Sequence, residues 1–286
     1  MNIVVTIPAY NVSSCIGKVI REIRDLGYNV LVVDDGSTDN TSEVAKTNGA
    51  MVHRNKVNMG LAKTFQTEIK LCLEMGADVI VHTDADGQYP SNKIPELIKK
   101  IEEGNDLVMG SRFGEGIYSG SFMKSLGNRA FAKVFSRLLD MKITDTTTGF
   151  RAFTKDVAQL PIINSFTYTQ EQLIRAGKSK FKIAEIPITT AETRESKLFK
   201  NPLDYAIKAW INIFRIYRDF DPIRFFGILG LCFIVPGLAI GFHLFYFFLT
   251  VGHIYNRIPS SIVSMMFILA GIQIILFGFL ADMKRD

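Results

Sequence analysis

Two long stretches of this 286-residue chain carry no formal charge. No Asp, Glu, Lys or Arg occurs from Phe225 to Asn256, and none from Ile258 to Ala281. Before residue 225, charges recur every few positions. That absence excludes an ordinary soluble composition throughout and divides the chain into a polar N-terminal part and an apolar C-terminal part. As helices, the runs Phe225 to Leu249 and Ile262 to Leu280 would extend about 37 Å and about 28 Å, against a hydrocarbon core of about 30 Å. Two buried core helices of a soluble protein are the alternative, although a soluble core does not need such uncharged lengths. Pro236 and the glycines of the first run are compatible with a spanning helix.

Cysteine is scarce as well. Cys15, Cys72 and Cys232 are odd in number, far apart and without metal-ligand spacing, which excludes a disulfide framework and fits a reducing compartment. The net charge of +5 is modest and requires no nucleic-acid partner. No internal repeat or low-complexity tract is evident. The opening "MNIVVTIPAYN" has neither a basic n-region nor a long apolar stretch, so no signal peptide is expected there. Arg215, Arg218 and Arg224 precede the first apolar run, Lys284 and Arg285 follow the second, and the connection between them holds only Arg257. The positive-inside rule then gives an integral membrane protein with both termini and the polar part in the cytoplasm.

The polar part alternates strand and helix patterns. "IVVTIP", "NVLVVDD", "AMVHR", "DVIVHTD" and "DLVMGSR" read as buried strands, separated by helical spacings such as Ile16, Val19, Ile20 and Ile23. This predicts an α/β fold with a mainly parallel, Rossmann-like sheet flanked by helices. After Gly149 the pattern turns mixed, with "GFRAFT" and "FKIAEIPIT" as strands around a helix near Thr169 to Gly177. The expected organisation is an α/β domain over 1–200, an amphipathic interfacial helix over 201–222 carrying the single Trp, and a two-helix membrane hairpin over 223–286. Gly237, Gly241 and Gly271 are small residues at which hairpins of two protomers could pack into a homo-oligomer.

In parallel sheets, ligands sit beyond the carboxyl ends of the strands. Here those ends read "IPAYN", "VVDDGS", "HTDADGQ" and "MGSRF". In "ADVIVHTDADGQYP", Asp84, Asp86 and Gln88 would share one face if the backbone stayed extended. Two carboxylates that close call for a cation with oxygen ligands. The same D-x-D-G pattern opens aspartyl-nucleophile phosphatases and calcium loops, but Gln88 stands where the former carry Ser or Thr nearby, and Pro95 where the latter need Glu.

The ordered set "TIPAYN", "VVDDGSTDNT", "NMGLAKTF", "TDADGQYP", "GSRF" and "DTTTGFRAF" resembles the GT-A-type, family 2 inverting glycosyltransferases, and within them the polyprenyl-phosphate (dolichyl-phosphate) sugar synthases. The resemblance covers about residues 2 to 200, and the two apolar runs are similar to the membrane anchors of one branch. It implies a nucleotide-sugar donor, UDP- or GDP-linked, a polyprenyl phosphate acceptor, and Mg²⁺ or Mn²⁺ held by Asp84, Asp86 and Gln88. It implies nucleoside contacts from Pro8, Tyr10, Asn11, Asp34, Asp35 and Asp84, and acceptor-phosphate contacts from Arg112, Arg129, Arg194 and Lys197. Asp145, with Arg112 and Arg129, matches the catalytic set, as assisting base or as orienter. Arg151 and Glu171 are weaker candidates, with a surface ion pair as the alternative for each. The loop "ETRESKLFK" departs from the R-x-x-G-x-S-K of many relatives: Arg194 stands at their Gly and Ala191 at their Arg. A hydroxyl acceptor on the same fold, or a silent nucleotide-binding anchor, are the competing functions.

Overall fold

The computed structural model describes residues 1–113, 132–162, 168–190, 211, 214–215, 218–253 and 257–283. Arg129, Arg194, Lys197 and most of the expected interfacial helix lie outside the described residues. The chain separates into two compact units, Met1–Lys200 and Asn201–Asp286.

The first unit runs β1 (Ile3–Ala9), α1 (Ile16–Asp25), β2 (Asn29–Asp34), α2 (Thr41–Thr47), β3 (Met51–Arg54), α3 (Leu61–Glu74), β4 (Val79–His82), α4 (Ile94–Glu102), β5 (Leu107–Ser111), β6 (Arg151–Thr154), α5 (Lys155–Ala158), α6 (Tyr168–Lys178) and β7 (Ile183–Pro187). Local chemistry explains the helix positions. In α4, for example, Pro95 and Glu96 lie in the first turn and Lys99 and Lys100 in the last, matching the helix dipole at both ends.

The strands form one sheet in the order β3-β2-β1-β4-β6-β5-β7. Every neighbouring pair is parallel except those made by β6, which runs antiparallel to β4 and β5. Arg151, the first residue of β6, pairs with His82 at the end of β4 and with Met109 in β5. The reversed strand therefore begins at the edge where the parallel strands finish. Residues 144–150, which lead into it, are delivered to the carboxyl ends of the sheet.

Alternation sends Val5, Ile7, Val79, Val81 and Ala152 to one face, against the isoleucines of α1 and the Ile94, Leu97, Ile98 and Ile101 stripe of α4. Each of the Val, Leu and Ile side chains contributes about 1.5–3 kcal/mol when fully buried. On the opposite face, the Phe65 ring of α3 lies 4.6 Å from Tyr168 of α6 and 6.1 Å from Phe153 of β6. Thr6, Glu68, His82 and Arg151 are also buried, each with 0% exposure. An apolar layer thus covers one side of the sheet and a partly polar one the other.

The second unit is a helical hairpin of α7 (Pro222–Val251) and α8 (Ile258–Met283). Both are long and apolar enough to cross a membrane, with mean hydropathies of 2.3 and 2.4. Only 11% and 17% of their most apolar windows are buried, so the alternative of two core helices does not describe them. Small residues set the helix spacing. A Cβ on Gly230 would come within 2.7 Å of the Gly271 carbonyl oxygen, and one on Gly271 within 2.7 Å of that of Gly230. Ser264 Oγ donates to the Gly237 carbonyl at 2.7 Å, and Gly241 faces Ser264. The three glycines read as contacts between protomers are thus engaged within one hairpin.

This packing generates a test. Gly271→Leu should force the two backbones apart and lower the thermal stability of the hairpin in detergent by about 1–3 kcal/mol. Gly227→Leu, at a position with nothing within 4 Å of the added Cβ, should leave it unchanged. Equal melting of the two variants would contradict the packing.

Candidate active site

The loop after β1 and β2 builds a cavity of about 220 Å³, lined by Pro8, Tyr10, Asp35, Asn58, Gly60 and Thr64 among others. The two aspartates of "VVDDGS" divide in role here. Asp34 ends β2 with its side chain turned inward, fully buried, accepting from Ser37 N at 2.8 Å and from the Ser42 hydroxyl. Asp35 borders the cavity and accepts from Asn55 Nδ2 at 2.8 Å, Met59 N at 2.9 Å and Gly60 N at 2.8 Å. Burial raises its pKa, but those hydrogen bonds outweigh burial and hold the carboxyl below its ordinary value. Gly36 is required between them and the next loop: its φ is +75°, and a Cβ would meet the Val57 carbonyl carbon at 2.8 Å. Tyr10 is exposed at the cavity wall, whereas Asn11 does not line it. Asn11 takes a φ of 52°, and its Oδ1 accepts from Thr38 N at 2.8 Å, so it shapes the turn.

Beyond β4 the expected extended run does not form. The strand stops at His82, residues 85–86 turn, and Gly87 has a φ of +73°. Gln88 N donates to Asp86 Oδ1 at 2.9 Å, closing an Asx-type turn. A turn, and not strand alternation, therefore sets the relative placement of Asp84, Asp86 and Gln88. Asp86 is exposed, while Asp84 keeps only part of its surface open. Dense surroundings push the Asp84 carboxyl above its ordinary pKa; Asp86 and Glu68 add to this, and His82 and Arg112 oppose it. No hydrogen-bond donor among the described residues reaches its oxygens. A Cβ on Gly149 would lie 3.1 Å from Asp84 Oδ1, so the backbone there leaves the carboxylate its space.

The segment over 144–150 supplies the facing wall. Asp145 is fully buried and receives a two-pronged contact from Arg112, Nε to Oδ2 at 2.7 Å and the Nη2 nitrogen to Oδ1 at 3.0 Å. Thr147 adds its backbone N–H at 3.1 Å and its hydroxyl at 3.2 Å to Asp145 Oδ1. Glu185 of β7 holds the same segment from behind, accepting from Thr144 N at 3.0 Å and Asp145 N at 3.1 Å. Gly149 N donates to the Tyr89 hydroxyl at 3.1 Å, and the Tyr89 ring stacks on Phe150 with centroids 5.4 Å apart. Burial, with the charge of Asp84 next, pushes the Tyr89 phenol up to about 12; Arg112 and Asp145 also act on it. These charges surround one residue.

Arg151 and Glu171, the weaker candidates for which a surface ion pair was the alternative, are both interior. Arg151 is fully buried, and Glu171 is 1% exposed beside Arg175, whose Nε lies 2.8 Å from Glu171 Oε1. Sequence reasoning missed Tyr89, Glu185 and the Glu68–His82 pair. The pair sits fully buried with Nδ1 3.0 Å from Oε2, but off-line for a hydrogen bond. Proximity to the motifs could have flagged Tyr89 alone.

A mostly parallel sheet with a cavity beside β1 and β2, an acidic turn after β4 and a reversed β6 defines a GT-A glycosyltransferase architecture. The chain belongs to glycosyl transferase family 2, whose pattern matches residues 4–160. It is similar to the dolichyl-phosphate hexose transferase of Haloferax volcanii, 31% identical over 201 residues, which cover 69% of this chain and 86% of that protein. It is also similar to the UDP-N-acetylglucosamine–dolichyl-phosphate N-acetylglucosaminyltransferase of Methanococcus voltae, 31% identical over 217 residues, covering 66% and 86%. Among solved structures it resembles glucosyl-3-phosphoglycerate synthase of Mycobacterium tuberculosis in complex with Mn²⁺, uridine diphosphate and glucosyl-3-phosphoglycerate. That likeness has a TM-score of 0.58 and 20% identity, with 74% of this chain and 79% of the other covered, and it carries the fold.

Glu185 gives a pH test. Burial raises its carboxyl above the ordinary 4.5, outweighing the hydrogen bonds from Thr144 and Asp145. The folded chain then binds this proton more tightly than the unfolded one. Its stabilisation is full below the unfolded value and is lost as pH rises through the raised folded value. Glu185→Gln should remove that component, so melting curves of the two proteins should diverge as pH rises above 4.5. Parallel curves would contradict the assignment.

Proposed function

We propose that this glycosyltransferase moves a hexose, with inversion, from a UDP- or GDP-linked sugar to a polyprenyl (dolichyl) phosphate at the cytoplasmic face of a membrane that α7 and α8 span. The observation that carries this reading is the state of Asp145. Both of its oxygens are occupied by Arg112 and one also by Thr147, so it is poorly placed to take a proton. A hydroxyl acceptor needs such a base. A phosphate monoester does not, because its second pKa is about 6 and it is already anionic near neutrality. The names of both relatives above include a dolichyl phosphate, which supports the same acceptor chemistry.

In this reading the nucleoside lies in the cavity beside Pro8, Tyr10 and Asp35. The residues beyond β4 suit a metal: Asp84 is a half-buried carboxylate without a donor, next to a glycine that leaves it room. Mg²⁺ or Mn²⁺ commonly binds through one or two carboxylates plus substrate phosphates, and Asp84, Asp86 and Gln88 would hold it. Bound there, the ion would supply charge stabilisation for the departing diphosphate. Asp145 orients Arg112, and Arg112 meets the acceptor phosphate with its planar donor set. Arg129, Arg194 and Lys197 are proposed to complete the acceptor site. The basic flanks of the hairpin, Arg218 and Arg224, favour the cytoplasmic side. An acceptor whose tail cannot leave the bilayer gives the hairpin its purpose.

The direct test is transfer from radiolabelled nucleotide sugars to lipid phosphate with Mn²⁺, and no glycolipid across a full donor panel from folded protein would end the reading. Asp86→Ala is expected to abolish metal-dependent donor binding in calorimetry; retained binding would contradict the metal role. Asp145→Asn should lower kcat by less than the roughly 10²–10⁴-fold typical of a lost general base. A larger loss would point to a hydroxyl acceptor.

A further inference from the structure

Arg151 is a fully buried arginine whose guanidinium makes no ion pair with a carboxylate among the described residues. Arginine is almost never fully buried unless paired, and an isolated buried charge is costly. Its partners here are carbonyl oxygens on two separate pieces of the fold. One Nη1 hydrogen bond goes to the Thr169 carbonyl at 2.9 Å and another to Gln172 Oε1 at 3.1 Å, both on α6. Nη2 donates to the Thr148 carbonyl on the segment that enters β6. Nε has no hydrogen-bond partner among the described residues. Three acceptors therefore bridge α6 and residues 144–150 through one planar cation.

That segment carries the site. Gly149, next to Thr148, borders Asp84 and donates to Tyr89, while Asp145 and Thr147, a few residues earlier, engage Arg112. The nucleoside cavity beside Pro8, Asp35 and Thr64 shares none of these contacts. We infer that Arg151 is a positioning residue for sugar transfer: it clamps the Thr144–Phe150 segment to α6 and thereby sets Asp84 and Asp145 across from each other. This rests on the transferase function proposed above. The burial of a cation fits the role, because the charges of Asp145 and Asp84 both act on the guanidinium while their oxygens stay out of its hydrogen bonds. Lysine cannot substitute, since a point ammonium lacks the fork that reaches three carbonyl-type acceptors at once.

The clamp acts on the reacting end and not on the nucleoside end, which separates it from a role in folding alone. Arg151→Lys, Arg151→Met and Gln172→Leu would be compared with the wild-type full chain, using Mn²⁺ with UDP and GDP as calorimetric probes and transfer kinetics as the second readout. Arg151→Lys is expected to bind nucleotide without metal as the wild type does, to lose most of the tightening that Mn²⁺ gives, and to drop kcat at least about tenfold with donor KM within about twofold. Gln172→Leu, which removes one arm, should show the same split at about two- to fivefold. Melting curves report folding, and if the Arg151 variants do not fold, Gln172→Leu carries the test. A folded variant with unchanged metal tightening and kcat would overturn the inference, as would a uniform loss of nucleotide binding and turnover. A wild-type protein with neither metal-dependent nucleotide binding nor transfer would instead overturn the proposed function.

Discussion

The site depends on one interlock at the carboxyl edge of the sheet. Gly149 passes beside Asp84 closely enough that a Cβ would sit 3.1 Å from Oδ1, and its N–H is held by the Tyr89 hydroxyl at 3.1 Å. Tyr89 belongs to the turn beyond β4, whereas Gly149 belongs to the segment entering β6. One hydrogen bond and one ring stack therefore join the two halves of the site. The reversed direction of β6 makes the meeting possible, because only a strand that starts at this edge brings its preceding loop there. Leaving the Gly149 N–H unpaired in so buried a place would cost about 1–3 kcal/mol.

Electrostatics gives the two carboxylates different work. Asp145 is enclosed and satisfied, forked to Arg112 and supported from below by Glu185 through the backbone of Thr144 and Asp145. Breaking such a buried pair from one side typically costs about 3–5 kcal/mol, so Asp145 is a fixed part of the frame. Asp84 is the opposite case: crowded, near other acids and without a hydrogen-bond donor among the described residues. A carboxylate held that way suits the cation role proposed above, and one held like Asp145 suits the orienting role. Their difference in surroundings, and not in residue type, sets the roles. The same reasoning applies to the aspartates of β2, where Asp34 pins its loop and Asp35 faces the cavity.

Much of this was legible in the sequence. Strand and helix patterns placed the α/β alternation, and the uncharged lengths marked the helical hairpin. The direction of β6 was not legible, because "RAFT" is four residues long and direction is decided by partners far along the chain. The turn at Asp84 to Gln88 was misread as extended; the Gly87 backbone, with its positive φ, bends it. Arg151 was left between a functional role and a surface pair, since composition gives no local sign that a charge will be enclosed. Glu185 drew no notice within its strand, and only the loop across from it reveals its role. What escaped the sequence is therefore the set of long-range contacts that hold the motifs, while the motifs themselves were readable.

The central claim is that the turn beyond β4 holds a cation against the donor diphosphate. Its most direct test is the anomalous scattering of Mn²⁺ in crystals of the full chain grown with UDP or GDP. The account requires a peak bounded by the Asp84 and Asp86 carboxylates and the diphosphate, with the nucleoside in the Tyr10–Asp35 cavity. Ordered nucleotide with the manganese elsewhere, or with no peak at these carboxylates, would contradict it.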